Sequence, residues 1–73
     1  MSTETAAALA GLRAVRRRSQ DYLETLRAID PAARRAEEDG NRYPRLTLRL
    51  GLAYHQAVID ECTEFERESP APR

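Results

Sequence analysis

Arg45–Gln56, RLTLRLGLAYHQ, admits two readings, and the choice between them decides the fold. Its first half alternates leucine with polar residues, the pattern of a half-buried strand with Arg45, Thr47 and Arg49 on the open face. A short chain that paired such a strand with its twin and presented the arginines to DNA would be a β-ribbon repressor. Three features favour a helix instead. A ribbon of that kind needs two helices behind it, and after Leu50 only one helical segment fits before Ser69-Pro70. At the point where strand would give way to helix, Gly51-Leu52 offers only glycine, the weakest of the usual caps. Finally, two helical tracks run backward from Phe65 through the leucines without a break in phase. One is Leu46, Leu50, Ala53 or Tyr54, Ala57 or Val58, Glu61 and Phe65; the other is Leu48, Leu52, His55, Ile59 and Cys62. Pro44 to about Arg67 is therefore predicted as one helix of roughly six turns, at ~3.6 residues per turn.

On a helix the alternating leucines occupy two faces, so this segment is apolar over much of its circumference and needs cover on both sides. Gly51 costs about 1 kcal/mol relative to alanine inside a helix, and a second backbone crossing closely there is the expected reason for it. A single partner helix cannot cover both faces. Upstream, Ala8, Leu12, Val15, Ser19, Tyr22, Leu26 and Ile29 recur at alternating steps of four and three, with Leu9 and Leu23 on one flank. That stripe predicts a first long helix packed against a nearly parallel neighbour. Arg17 with Asp21 and Glu24 with Arg27 stand at helical pair spacings on its outer side.

Between the helices, Asp30-Pro31 is expected to break the chain and allow a restart, with Asp30 as cap and Pro31 in a first turn. Ala32–Asp39 would then be a short polar helix or turn, Asp39-Gly40-Asn41 a tight turn, and Tyr43-Pro44 the next start. Ser2, Thr3 and Thr5 are candidate caps for the first helix. The organisation expected is a flexible N-terminus over 1–5, a helical domain over 6–68 and a disordered C-terminus over 69–73.

At 73 residues the chain forms one small domain, whose single core rarely supplies more than roughly 3–5 kcal/mol unaided. Cys62 is the only cysteine and His55 the only histidine, which excludes an internal disulfide and a structural metal cluster and leaves oligomerisation as the means of support. No apolar run is long enough to cross a bilayer, and the N-terminus lacks the pattern of a signal peptide, so a cytoplasmic location is expected. All twelve basic residues are arginine and are balanced by twelve acids, giving no general attraction to nucleic acid. The charges are nonetheless segregated: residues 1–50 hold ten arginines against seven acids, and residues 51–73 hold two against five.

An antiparallel hairpin of the two helices would set Asp60, Glu61, Glu64, Glu66 and Glu68 beside Arg13, Arg16, Arg17 and Arg18, compensating acids that oppose the dipole at a helix C-terminus. The fold class expected is thus all-α, an antiparallel helical hairpin of two long helices with a short polar helix or turn between, two of which form a four-helix dimer.

LTLRLGLAYHQAVID, preceded by DYLETLRAI and a polar, proline-containing connection, resembles the C-terminal helical domain of PadR-like transcriptional regulators, the virulence-activator alpha C-terminal type. The likeness extends over about Leu9 to Glu66 and rests on apolar spacing and the Leu50-Gly51-Leu52-Ala53-Tyr54 pattern followed by Asp60 or Glu61. It implies a dimerisation module of a bacterial regulator, in which a winged helix-turn-helix binds DNA, the C-terminal helices join two subunits, and small aromatic effectors bind near the interface in some members. With Met1 standing just before the first dimer helix, the expectation is a module without its own DNA-binding domain, either a fragment or free-standing. Its expected partner is a second copy or a full-length PadR-like regulator, with no direct DNA binding and no membrane.

The residues expected at the dimer interface are Leu46, Leu48, Leu50, Leu52, Tyr54, His55, Ile59 and Cys62. Tyr22 and Tyr54 are the candidate contacts for an effector. Arg16, Arg17 and Arg18 are the candidate nucleic-acid contacts under the alternative function, a small arginine-dependent nucleic-acid-binding protein; a solvated, ion-paired helix face is the competing interpretation of that triplet. His55 is expected as a packing residue and Cys62 as a small hydrophobe. No catalytic constellation, phosphate loop or metal-ligand set is present, and neither enzyme activity nor a cofactor is expected.

Overall fold

The chain between Arg45 and Gln56 is helical throughout. The computed structural model describes residues 2–68, and their fold is all-α, consisting of α1 (Thr3–Glu38) and α2 (Tyr43–Glu68) folded back on each other. Contacts from Arg13 and Arg16 to Glu66 at one end and from Glu37 to Arg45 at the other make the pair antiparallel. The molecule is a rod, with extents of 56 × 16 × 15 Å.

Ser2 begins α1 as its N-cap: its Oγ accepts a hydrogen bond from the Thr5 amide at 3.1 Å, and Glu4 stands in the first turn near the positive end of the helix. Regular helix thus starts inside the segment 1–5 expected to be flexible. Residues 69–73, expected to be disordered, lie outside the described residues, as does Met1.

At Asp30-Pro31 the structure differs from expectation, because α1 runs through Pro31 without a break. No separate short polar element follows; the connection is only residues 39–42. Proline in a helix interior typically costs about 3 kcal/mol through its missing N–H and its ring clash. Two observations account for its tolerance. Pro31 lies on the exposed side, where water can reach the backbone it leaves unpaired. The two turns beyond it bury Ala33 to 2% exposure and place Glu37 against Arg45 of α2. The Asp30–Arg34 ion pair, 2.7 Å long, spans the proline.

Asp39-Gly40-Asn41 forms the expected turn. Gly40, at φ +94°, supplies the left-handed residue that ends α1; its amide donates to the Glu37 carbonyl at 3.0 Å and the Asn41 amide to that of Ala36 at 2.8 Å. This is a Schellman closure, which satisfies carbonyls the helix end would otherwise strand. Asn41 Oδ1 then accepts from the Tyr43 amide at 3.3 Å, and Pro44 sits in the first turn of α2, where it has no amide to leave unpaired.

The seam between the helices is narrow. Leu9, Ser19, Leu23 and Ala33 of α1 are buried against Leu48 and Cys62 of α2, with Leu12, Leu26, Leu52, His55, Val58 and Ile59 half-covered. The broad α1 stripe is therefore divided. Leu9 and Leu23, expected on its flank, are among its most buried members, while Ala8, Val15, Tyr22 and Ile29, seven residues apart in sequence, remain exposed. One helix cannot cover a stripe that wide.

Gly51 faces the side chain of Leu26 rather than another backbone: a Cβ there would lie 3.1 Å from Leu26 Cδ1. The expected close backbone crossing is replaced by a leucine tip entering the hollow that glycine leaves.

Candidate functional site

The two leucine tracks of α2 separate as the helix period requires. Leu48, Leu52, His55, Ile59 and Cys62 point toward α1 within the same chain, and Leu46, Leu50 and Tyr54 point outward, each more than half exposed. Of the residues expected at an interface between subunits, five thus contribute to the seam inside one hairpin and three to its surface. Tyr43 and Phe65 are exposed on the same outer track.

Tyr22 and Tyr54 fix how the exposed residues of the two helices relate. The Tyr22 ring stacks on His55 with centroids 4.9 Å apart and planes 16° from parallel, and the Tyr54 ring meets His55 edge-on at 5.1 Å and 82°. Both tyrosines therefore close over the same long edge of the seam. Helical periodicity carries Val15 and Ile29 onto that edge with Tyr22, and Leu50 onto it with Tyr54. The outcome is one apolar face shared by both helices. No side chain of the described residues is fully buried, whereas Val15, Tyr22, Ile29, Leu46, Leu50 and Tyr54 are all at least 43% exposed. These residues form an apolar surface that the two helices leave uncovered.

His55 anchors the edge from below. Its Nδ1 lies 3.2 Å from Ser19 Oγ, in a hydrogen bond whose direction depends on the imidazole tautomer. Ser19 is only 5% exposed, so His55 satisfies a hydroxyl that would be costly to bury alone. The histidine is both a packing residue and the polar partner of Ser19. Sequence patterning puts Ser19 on the apolar stripe of α1 and His55 on an α2 track expected between subunits; the antiparallel register brings the two together inside one chain. Cys62 is a free, buried thiol on the inner track.

The opposite edge is polar and is closed by ion pairs within the chain. Glu66 receives Arg13 Nε at 3.2 Å on Oε1 and Arg16 Nη1 at 2.8 Å on Oε2, and Arg45 Nη1 reaches Glu37 Oε1 at 2.9 Å. The hydrogen bond from Arg13, with the nearby charge of Arg16, holds the Glu66 carboxyl below the ordinary carboxylate range. The expected juxtaposition of basic α1 and acidic α2 is present, but among the described residues Glu66 alone of those five acids crosses to α1. Asp60 accepts from Gln56 at 3.0 Å and Glu64 pairs with Arg67 at 3.0 Å, both within α2. The pairs expected between Arg17 and Asp21 and between Glu24 and Arg27 do not close among the described residues; Asp30–Arg34 does.

Of the arginine triplet, Arg16 is committed to Glu66, while Arg17 and Arg18 are exposed. Among the described residues, no group of three or more histidine, cysteine, aspartate or glutamate side chains is placed to hold a metal ion. No helix among them is long and apolar enough to cross a membrane.

A sequence profile described as virulence activator alpha C-term matches residues 2–68, nearly the whole chain. No curated protein and no solved structure gives a significant match.

Proposed function

The chain belongs to the virulence activator alpha C-terminal family, the helical C-terminal domain type of PadR-like regulators, and from that premise we propose that it joins two copies of itself through the apolar face of Val15, Tyr22, Ile29, Leu50 and Tyr54. Membership makes it a dimerisation-type regulatory module without catalytic chemistry. The observation that carries the proposal is the lopsided exposure of α2: its inner leucines are covered by α1, while Leu50 and Tyr54 stay 66% and 65% exposed. Burying a leucine of that kind contributes about 1.5–3 kcal/mol, comparable with the whole stability of a hairpin this small. A face 56 Å long and 16 Å wide also suits the roughly 800 Å² per partner of a standard interface.

Light scattering with circular dichroism over a dilution series tests this. The expected result is a helical dimer whose helicity falls as it dissociates, and a Leu50→Arg variant that stays monomeric at concentrations about 100-fold above the wild-type midpoint, in line with the loss of one central anchor. A wild-type chain that stays monomeric and fully helical at high concentration excludes self-association and directs the search to a separate regulator chain as partner.

The aromatic edge supports a second reading, a small aromatic effector inserted beside Tyr22 and Tyr54. Both rings already pack on His55 in stacked and edge-on geometries, the arrangements that would accept another planar ring. With three tyrosines and no tryptophan in the chain, quenching of tyrosine fluorescence by planar aromatics, abolished by Tyr22→Ala, is the expected signal; unchanged fluorescence at millimolar ligand rules the slot out.

A further inference from the structure

Two charges of opposite sign, one on each helix, stand on the apolar face. Arg18 lies three residues after Val15 and four before Tyr22, and shares a shallow depression with Asp21, Tyr22 and Thr25. Glu61 lies seven residues after Tyr54 on the outer track of α2. Both are exposed, and neither takes part in an ion pair or hydrogen bond among the described residues. They also stand at the same height along the rod. The Arg16–Glu66 contact on one side and the Ser19–His55 contact on the other bracket the level at which Arg18 faces the Glu61 turn of α2.

We infer that two copies of this chain pair about a two-fold axis running parallel to the helices, so that Arg18 of each copy meets Glu61 of the other. The inference rests on the self-association proposed above and specifies its geometry. Two hairpins can be laid face to face about either of two in-plane two-fold axes. An axis parallel to the helices sets α1 over the second copy's α2 and leaves heights unchanged, so groups level within one hairpin become neighbours between hairpins. Tyr22 then stands beside the second copy's Tyr54 and Ile29 near its Leu50, while the two charges meet in two identical pairs.

An axis perpendicular to the helices stacks α1 on α1 and α2 on α2 with heights reversed. Centred on the level of Tyr22 and His55, it carries Glu61 to the height of the second copy's Arg49-Leu50 pair, of which Leu50 is the member on the outer track, and Arg18 to the height of its Leu26, so that neither charge meets an opposite one on the face. Desolvating unpaired charges is costly, whereas opposite charges at an interface fix register and exclude the alternative packing. The same argument explains why a glutamate sits in an otherwise apolar track: it selects one of two arrangements that the leucines alone do not distinguish.

Charge reversal, read in mixtures, tests this. Arg18→Glu and Glu61→Arg each replace two attractions with two repulsions, and each is expected to weaken self-association about tenfold or more at low salt. Both positions are exposed, so helicity at high concentration should match the wild type, and circular dichroism checks this. An equimolar mixture of the two variants should recover wild-type affinity to within a few-fold, because each forms only matched pairs with the other. A mixture no tighter than the single variants overturns the inference, as does an unaltered affinity of either variant alone. Recovery in the double variant without recovery in the mixture would place the pair within one chain and equally overturn it. A wild-type chain that does not self-associate refutes the underlying dimer instead.

Discussion

The two long edges of this hairpin are built from the same two helices and end in opposite states. On one, arginines of α1 and α2 meet carboxylates of the facing helix, with Glu66 held by Arg13 and Arg16 and Glu37 by Arg45. On the other, Tyr22 and Tyr54 close over His55, and beyond them Val15, Ile29 and Leu50 face outward. The polar edge is complete in one copy; the apolar edge has more hydrophobic surface than the seam has room to bury. A hairpin of two helices has one interior line, and this chain carries apolar residues on two, the second of which the proposed second copy would cover.

The sharpest way to break that contrast is to truncate equivalent leucines on the two tracks of α2. Leu48 is 4% exposed in the seam, so Leu48→Ala should lose about 2–5 kcal/mol and leave the chain largely unfolded at any practical concentration in a thermal melt. Leu50→Arg should instead show, at every concentration, the helicity of the diluted wild-type monomer, and lose only the dependence of stability on concentration. Similar behaviour of the two would dissolve the distinction between inner and outer tracks.

A smaller effect tests the turn that sets both edges. Gly40 holds φ +94°, a conformation that costs an L-residue roughly 1–2 kcal/mol, and Gly40→Ala should lower the stability by that amount, read as a lower melting midpoint, without changing the association state. The alanine meets no atom within 4 Å, so any loss reports backbone conformation and not crowding.

The smallest effect belongs to the polar edge and is seen with pH. Because Glu66 is held below its ordinary value by Arg13 and then Arg16, its contribution is present above the ordinary carboxylate range. It fades as pH falls through that range toward the lowered value. Glu66→Gln should flatten that part of the acid limb of a stability profile and leave neutral-pH self-association unchanged, since the pair lies on the edge away from the tyrosines. A pH profile identical to wild type would show that the two arginines do no more than graze the carboxylate.

Much of this arrangement was legible in sequence. The continuous phase of Leu46 through Phe65 excluded the strand, and the same period separated the two tracks that end up inside and outside. Three features were not legible. Pro31 signals a break by its local chemistry, and the helix continues because Ala33 and Glu37 find partners on a segment remote in sequence. Gly51 suggested a backbone crossing and receives a leucine side chain. The five acids of α2 looked equivalent, and among the described residues Glu66 alone reaches two arginines of α1.

The sequence by itself determined which residues share a face, because the helical period is a local property of consecutive φ and ψ angles. It also determined where α1 turns back, because the glycine at position 40 can take the left-handed conformation that the turn requires. Only the tertiary structure decided which of the two leucine faces turned inward, which of several acids was paired, and whether the proline would be tolerated. Each of those depends on what stands opposite at a given height. That height is set by the register of two antiparallel helices, a relation between distant residues that no local pattern encodes.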